Sequence, residues 1–366
     1  MDDYGKRYYS FQEGFRLVAQ AEKGIPDRVP VYAQLCEMLP LEMGVSAEKI
    51  FHDPELITIG SFRVCEKYGI DVPVVDLDTY NIEAEAIGQR LIFDEDIMPD
   101  VDRGHPLIED RKDLKKIQTP DFDKAARCPV VVEMYRLFEK LTGCRASMAF
   151  CAPFSLAANI RGISQILMDI MEQPDFARSL FEGVTEDVLI PWLLYLRDKF
   201  PQTPAFVGAD ALASLPVVNE TMMEEWIAPY IERLREAVGP NVCVPNQTGE
   251  RYSKAPEKFM DIRRRANPLY VEGQDPDVEA LGPEFYRKYA DKHDLPLLLG
   301  VGAVFLNNAS PEEISERVRH YVQAGGKNGR LWLYLCNLAP STPPENIKAA
   351  VTAAHKYGSL LEKTKN

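Results

Sequence analysis

The sequence predicts an α/β fold, a single (β/α)8 barrel over residues 1–366. About eight apolar strands each lead into a helix, and no linker, low-complexity tract or short-period repeat divides the chain. The strands are apolar yet end on polar or acidic residues, as expected where chemistry gathers at the carboxyl-end mouth of a parallel barrel.

The elements follow in order. Ser10 to Glu22 reads as an amphipathic helix with Phe11, Phe15, Leu17 and Val18 on one side. Val31–Leu35 is mostly apolar, the pattern of a strand covered on both faces, with Gln34, Cys36 and Glu37 at its far end. Pro54 to Lys67 is helical by periodicity, and Gly69–Asp76 is the next strand, running out into Asp78, Thr79 and Tyr80. Ile82–Phe93 breaks the rhythm and reads as an inserted ribbon. The Asp- and Pro-rich stretch from Asp94 to Lys112 follows it, so residues 82–112 form a ribbon and lid over the mouth. Ala125 to Leu141 is a helix and Arg145–Ala152 a third strand; Pro153 opens a helical stretch that breaks near Gly162 and runs to Lys199. The alternation is then regular. Strands Ala205–Asp210, Asn241–Gln247, Pro268–Gly273, Leu295–Gly302 and Leu331–Cys336 precede helices at Asn219–Val238, Pro256–Arg265, Pro283–Lys292, Ser310–Ala324 and Pro344–Lys363.

Composition narrows the function classes. A content of 46% hydrophobic and 27% charged residues is that of a globular protein. Lys+Arg 42 against Asp+Glu 56 gives a net charge of −14, which disfavours nucleic acid and anionic lipid as partners. The basic run Arg263-Arg264-Arg265 falls at a helix end, where it complements the dipole. No basic start with an apolar continuation marks a secretory signal, and no apolar stretch is long enough to span a bilayer. Seven scattered cysteines do not describe a disulfide framework, so the expected setting is the reducing cytoplasm.

The strand ends name the candidate residues: Gln34, Cys36, Asp78, Tyr80, Cys151, Asp210, Asn246, Gln247, Glu272, Gln274, Asn307, Cys336 and Asn337, with Phe154 just past the third strand. Of five histidines, only His105 in the lid and His52 are placed to reach a substrate; His293, His320 and His355 fall in or after helices. No phosphate-binding glycine loop, nucleophile elbow or Cys/His nucleophilic pair is present.

Several stretches together resemble the uroporphyrinogen decarboxylase superfamily, which also contains corrinoid-dependent methyltransferases. They are Pro26–Val31, Ile82–Gly88, Ala152–Ala157, Leu215-Pro216 with Ile227–Tyr230, and Leu338–Asn346, in the family's order over nearly the whole length. The resemblance implies a barrel of that family's type. The decarboxylase branch carries arginines after the first strand that neutralise a polycarboxylate, yet Val31 to Gly44 holds neither Arg nor Lys. An acidic mouth would repel such a substrate. The methyltransferase branch often binds Zn2+ through His-x-Cys after the fifth strand and Cys after the eighth. Cys336 matches the last position, while Asn246 and Thr248 stand at the others and are poor zinc ligands.

The chain is also similar to the substrate-demethylating components of aryl-ether O-demethylase systems, whose proposed zinc motif is Glu, fourteen residues, Glu, twenty residues, His. Glu257, Glu272 and His293 have that spacing. Glu272 would lie at the mouth and His293 at the opposite barrel end, roughly 15 Å away, so Glu272 with Cys336 is the easier metal pair. The resemblance implies methyl transfer from a phenyl methyl ether to the Co(I) corrinoid, a cobalamin, of a separate corrinoid protein. The catalytic candidates are Asp78, Tyr80, Asp210 and Glu272, which would protonate or neutralise the departing phenolate, with Zn2+ on Glu272 and Cys336 as a further device. Gln34, Cys36, His105, Phe154, Asn246, Gln247 and Asn337 are the expected substrate contacts. The alternatives are a uroporphyrinogen-type decarboxylase or a methyltransferase of the same branch that uses methanol, methylamine or coenzyme M.

Overall fold

In the computed structural model, which describes residues 6–95 and 97–359, parallel strands alternate with helices around one axis. The strands are β1 (Val31–Ala33), β2 (Val72–Pro73), β3 (Leu91–Ile92), β4 (Asp100–Val101), β5 (Met148–Cys151), β6 (Phe206–Ala209), β7 (Val242–Cys243), β8 (Val271–Gln274), β9 (Leu297–Val301) and β10 (Leu331–Leu335). Eight of them make the barrel wall. They pair in parallel in the order β2-β1-β10-β9-β8 and, separately, β5-β6-β7, while β3 and β4 form an antiparallel ribbon. The final expected stretch, 360–363, lies outside the described residues.

Two seams therefore lack a strand-to-strand ladder, and side chains serve the backbone there instead. At the β2/β5 seam the Ala149 amide donates to the Tyr135 hydroxyl at 2.7 Å and the Cys151 amide to Glu83 Oε1 at 3.2 Å. At the β7/β8 seam Arg235 donates to the Val242 carbonyl at 3.1 Å and Arg263 to the Pro245 carbonyl at 2.8 Å. Buried main-chain groups must find partners, and these four side chains supply them.

Alternation sorts the strand residues. Leu297, Leu299 and Val301, with Leu331, Leu333 and Leu335, pack outward into the main core shared with the helices. Leu298 and Trp332 belong instead to a separate small cluster with Ala21, Val18, Tyr32, Tyr270 and Tyr334. That cluster stops the amino-end of the barrel. Helix Phe11–Glu22 lies across it, so close that a Cβ on Gly14 would stand 1.9 Å from the Asp71 carbonyl oxygen. Asp71 itself accepts from Arg28 at 2.6 Å, from the Val31 amide at 2.9 Å and pairs with His355 at 3.0 Å, tying the last helix to the first strands.

The insertion after β2 differs from expectation in its first part. Ile82–Ala86 is a short helix, and only Leu91–Ile92 with Asp100–Val101 form the ribbon. The Ile-Glu-Ala-Glu-Ala alternation reads as a strand, but Glu and Ala are strong helix formers, and the helical turn delivers Glu83 to the edge of β5. The segment beyond crosses towards the mouth: Asn81 donates to the Pro99 carbonyl at 2.9 Å, and Met98 Sδ lies 3.6 Å from Cys36 Sγ.

Candidate active site

The register fixes which side chains enter the barrel. Tyr32 pairs with Tyr334 and with Val72, while Gln274 pairs with Gly300 and Gly300 with Tyr334. Counting by twos from Tyr32 sends Gln34, Val74, Asp76, Glu272, Gln274, Tyr334 and Cys336 inward with it. Small residues, Ala149, Val207, Ala209 and Gly300, occupy the inward positions on β5, β6 and β9. Tyr32, Gln34, Asp76, Ala149, Val207, Tyr270, Gln274 and Tyr334 all remain partly exposed, so the interior above the apolar stop is open space. Gly300 is required there, because a Cβ would stand 2.6 Å from Cys336 Sγ and 3.0 Å from Gln274 Cγ.

Glu272 is the inward acid on β8. It is 6% exposed, and its Oε1 accepts a short hydrogen bond from the Gln274 amide while Oε2 has no hydrogen-bond partner among the described residues. Burial raises its pKa, only partly offset by Gln274 and by the positive charge of Arg263. Cys336, buried beside it, has its thiol pushed up by desolvation and by the Glu272 charge. Tyr334 donates to Gln34 Oε1 at 2.8 Å, and Gln34 Nε2 lies 3.8 Å from Cys36 Sγ.

Across the barrel the roles of the acids differ from expectation. Asp78 takes a left-handed φ of 94° and turns away from the interior. Its Oδ2 accepts from Arg127 at 2.7 Å and its Oδ1 from Asn81 at 2.7 Å. Burial pushes its pKa to about 8, against the pull of Arg127 and Asn81. The inward group is Asp76, which the sequence reading passed over. Its Oδ1 accepts from the Asp78 amide at 3.2 Å, the Thr79 amide at 3.1 Å and, more closely, the Thr79 hydroxyl. Desolvation raises it too, but three donors support its charge where Glu272 has one.

Asp210 is a hub. Oδ1 accepts from the Ser155 amide at 2.9 Å and hydroxyl at 2.8 Å, and Oδ2 from Gln247 at 3.0 Å. Its own amide donates to Asn246 Oδ1 at 2.7 Å, and Asn246 Nδ2 donates to the Tyr80 hydroxyl at 2.9 Å. Burial brings Asp210 to about 6, with Ser155 and Gln247 opposing the rise. Asp210, Asn246, Gln247 and Tyr80 are thus brought together as a positioning network, and burial pushes the Tyr80 phenol up as well.

Other expected contacts do not join this group. His105 has 72% of its side chain exposed and pairs with Asp102 at 2.9 Å. Phe154 is fully buried and stacks on Phe181, because the helix it opens, Pro153–Arg161, turns it into the packing behind the wall. Asn337 is exposed, at φ 42°. Glu257 bonds Lys292 at 2.6 Å, and His293 lies 3.7 Å from Asp261, both on the outer helix layer. The motif-spaced triplet therefore does not converge on Glu272. Among the described residues no group of three or more His, Cys, Asp or Glu is arranged to hold a metal ion. Asn246 is spent between Tyr80 and Asp210, Thr248 lies 3.4 Å from Ser214, and Glu272 with Cys336 gives two donors of the four zinc takes. The residues present do not fit a zinc ion.

The model of the family described as uroporphyrinogen decarboxylase (URO-D) matches residues 14–357. The chain belongs to the uroporphyrinogen decarboxylase family. Similar proteins include a uroporphyrinogen decarboxylase of Anaeromyxobacter dehalogenans (strain 2CP-C), 23% identical over 374 residues, covering 94% of this chain and 99% of that protein. Another, from Anaeromyxobacter sp. (strain Fw109-5), is 21% identical over 381 residues, covering 93% and 98%. Among solved structures, a methyltransferase from Methanosarcina mazei shares the fold with a TM-score of 0.75 at 19% identity, covering 94% of this chain and 98% of that one. The family's (β/α)8 barrel is the architecture seen here, and the Methanosarcina structure shares that fold. Among the described residues, no helix is long and apolar enough to cross a membrane.

Proposed function

We propose that this protein is a cytoplasmic methyltransferase that moves a methyl group from a phenyl methyl ether to the corrinoid of a separate protein. The observation that carries the reading is Glu272, a carboxyl group made a weak acid by burial and facing an open interior floored by tyrosine rings. A reduced Co(I) corrinoid supplied by the partner would accept the methyl group at the mouth. Cleavage of the ether C–O bond leaves its electron pair on the phenolate oxygen, and Glu272 in its neutral form donates the proton that makes the phenol. General acid assistance of this kind is worth roughly 10²–10⁴-fold. The Tyr32, Tyr270 and Tyr334 rings give an aromatic donor stacking and edge contacts. Gln34 and Gln274 orient Tyr334 and Glu272, and the Asp210 network fixes the opposite wall.

The outer rim supports a protein acceptor. Leu41, Ile92, Ile97, Val217, Tyr252 and Val304 are exposed large apolar residues, each in a segment that follows the carboxyl end of a barrel strand. Exposed apolar residues on the segments that leave the carboxyl ends of the strands suit contact with a protein partner. A porphyrinogen decarboxylation reading is not favoured by the interior, where the inward strand positions carry acids and no Lys, Arg or His.

The test is formation of methylcobalamin from cob(I)alamin with a panel of methoxyarenes, followed by absorbance. Wild type is expected to react, and Glu272→Gln to lose about 10²-fold or more in kcat while keeping the wild-type circular dichroism spectrum. An unchanged rate in that variant overturns the acid assignment. Absence of transfer from every ether, with decarboxylation of a porphyrinogen, overturns the whole reading.

A further inference from the structure

We infer that the methyl donor carries a positively charged amino group and that Asp76 holds it against the interior tyrosine rings; this rests on the demethylase reading above. The first ground is the charge balance of the barrel. Three acids at the mouth, Glu37, Asp76 and Glu272, have no ion-pair partner among the described residues. The arginines around them are committed elsewhere: Arg127 to Asp78 and Glu85, Arg161 to Asp169, Arg251 to Asp277 and Arg263 to Glu250. An anionic donor would meet these acids with the nearest opposite charge, that of Arg263 on Glu272, already paired with Glu250, which is costly in a desolvated space. A cationic donor supplies the missing charge.

The second ground is the lining. Tyr32, Tyr270 and Tyr334 face the open interior, and Tyr32 and Tyr270 pack edge-on against Trp332 at centroid distances of 6.4 and 5.5 Å. Tyr334 feels the charges of both Glu272 and Asp76, which places its ring within electrostatic reach of both acids. Aromatic rings beside a carboxylate are a favourable setting for an ammonium group.

The third ground is a division of labour between the two inward acids. Asp76, with three hydrogen-bond donors on Oδ1, is the better supported as an anion, and its Oδ2 has no bonded partner among the described residues. Glu272, with a single amide donor, keeps its proton more readily. Two carboxyls whose surroundings differ in this way can serve as counter-ion and acid in one site.

Three donors of similar shape test the inference: 4-methoxybenzylamine, 4-methoxybenzyl alcohol and 4-methoxybenzoate, assayed by methylcobalamin formation. The amine is expected to exceed the alcohol by about tenfold in kcat/KM and the benzoate by more. Asp76→Asn, which keeps an acceptor for Thr79, should bring the amine-to-alcohol ratio close to one. A benzoate as good as the amine, or an unchanged ratio in the variant, overturns the inference while leaving ether demethylation standing. Calorimetry with benzylamine, which has no methyl group to give, separates the two readings further. If no ether reacts, binding of benzylamine that weakens about tenfold in Asp76→Asn still supports the cation site, and no binding to wild type overturns it.

Discussion

Glu83 illustrates how a single carboxyl can belong to the scaffold of a site without touching its chemistry. It is 1% exposed, receives the Cys151 amide on one oxygen and has no bonded partner for the other. Burial pushes its pKa up to about 8, well above the usual carboxylate range, partly opposed by backbone hydrogen bonds. The folded chain therefore keeps a proton that the unfolded chain releases. The corresponding stability is fully present below the unfolded pKa and is lost as pH rises towards 8. Urea titrations at pH 5 and pH 8 should show wild type losing roughly a few kcal/mol more between these values than Glu83→Gln, which retains an acceptor for Cys151. Parallel losses in both proteins would mean that Glu83 titrates as it does in the unfolded chain. Glu272 lay in the sequence as the polar end of an apolar strand and was legible as such. Asp76 was not, because its orientation depends on the pairing of Tyr32 with Val72, a register no local pattern states.

At the scale of elements, the strands were legible from their apolar runs, and their lengths were not. β2 pairs over only Val72–Pro73, although Gly69–Asp76 is apolar enough for a longer strand. The reason lies in the neighbours: Pro73 has no amide to give, and beyond it the edge of β5 is met by Tyr135 and Glu83 in place of a β2 carbonyl. Tyr135→Phe removes the acceptor for the Ala149 amide without changing the packing of the ring. It should cost about 1–3 kcal/mol, the penalty of an unsatisfied buried group, and hydrogen exchange at Ala149 should speed up more than at β9 amides. Uniform exchange across the barrel would show that the seam is no weaker than the paired wall. Long-range side-chain service of this kind joins residues far apart in the chain, so periodicity gives no sign of it. The misplacement of Phe154 has the same origin: its neighbour Ser155 reaches Asp210, whereas Phe154, one residue away on the helix, meets Phe181.

For the whole molecule, the alternation of strands and helices was enough to read the barrel, and the acid-rich strand ends were enough to read its mouth. Which acids look inward came from the closed geometry alone. The same geometry bears on the order of events in turnover. Helix Phe11–Glu22 and the cluster of Trp332, Leu298 and Ala21 seal one end of the barrel, so under the proposed reaction the methyl donor and the phenol would share a single doorway with the acceptor protein. Under the proposed demethylation, the donor would enter before the acceptor protein arrives, and the phenol would wait until that protein departs. Excess acceptor protein should then slow steady-state turnover by trapping phenol inside, with free cob(I)alamin producing less of this effect. Rates that rise monotonically to a plateau with the acceptor protein would require a second exit.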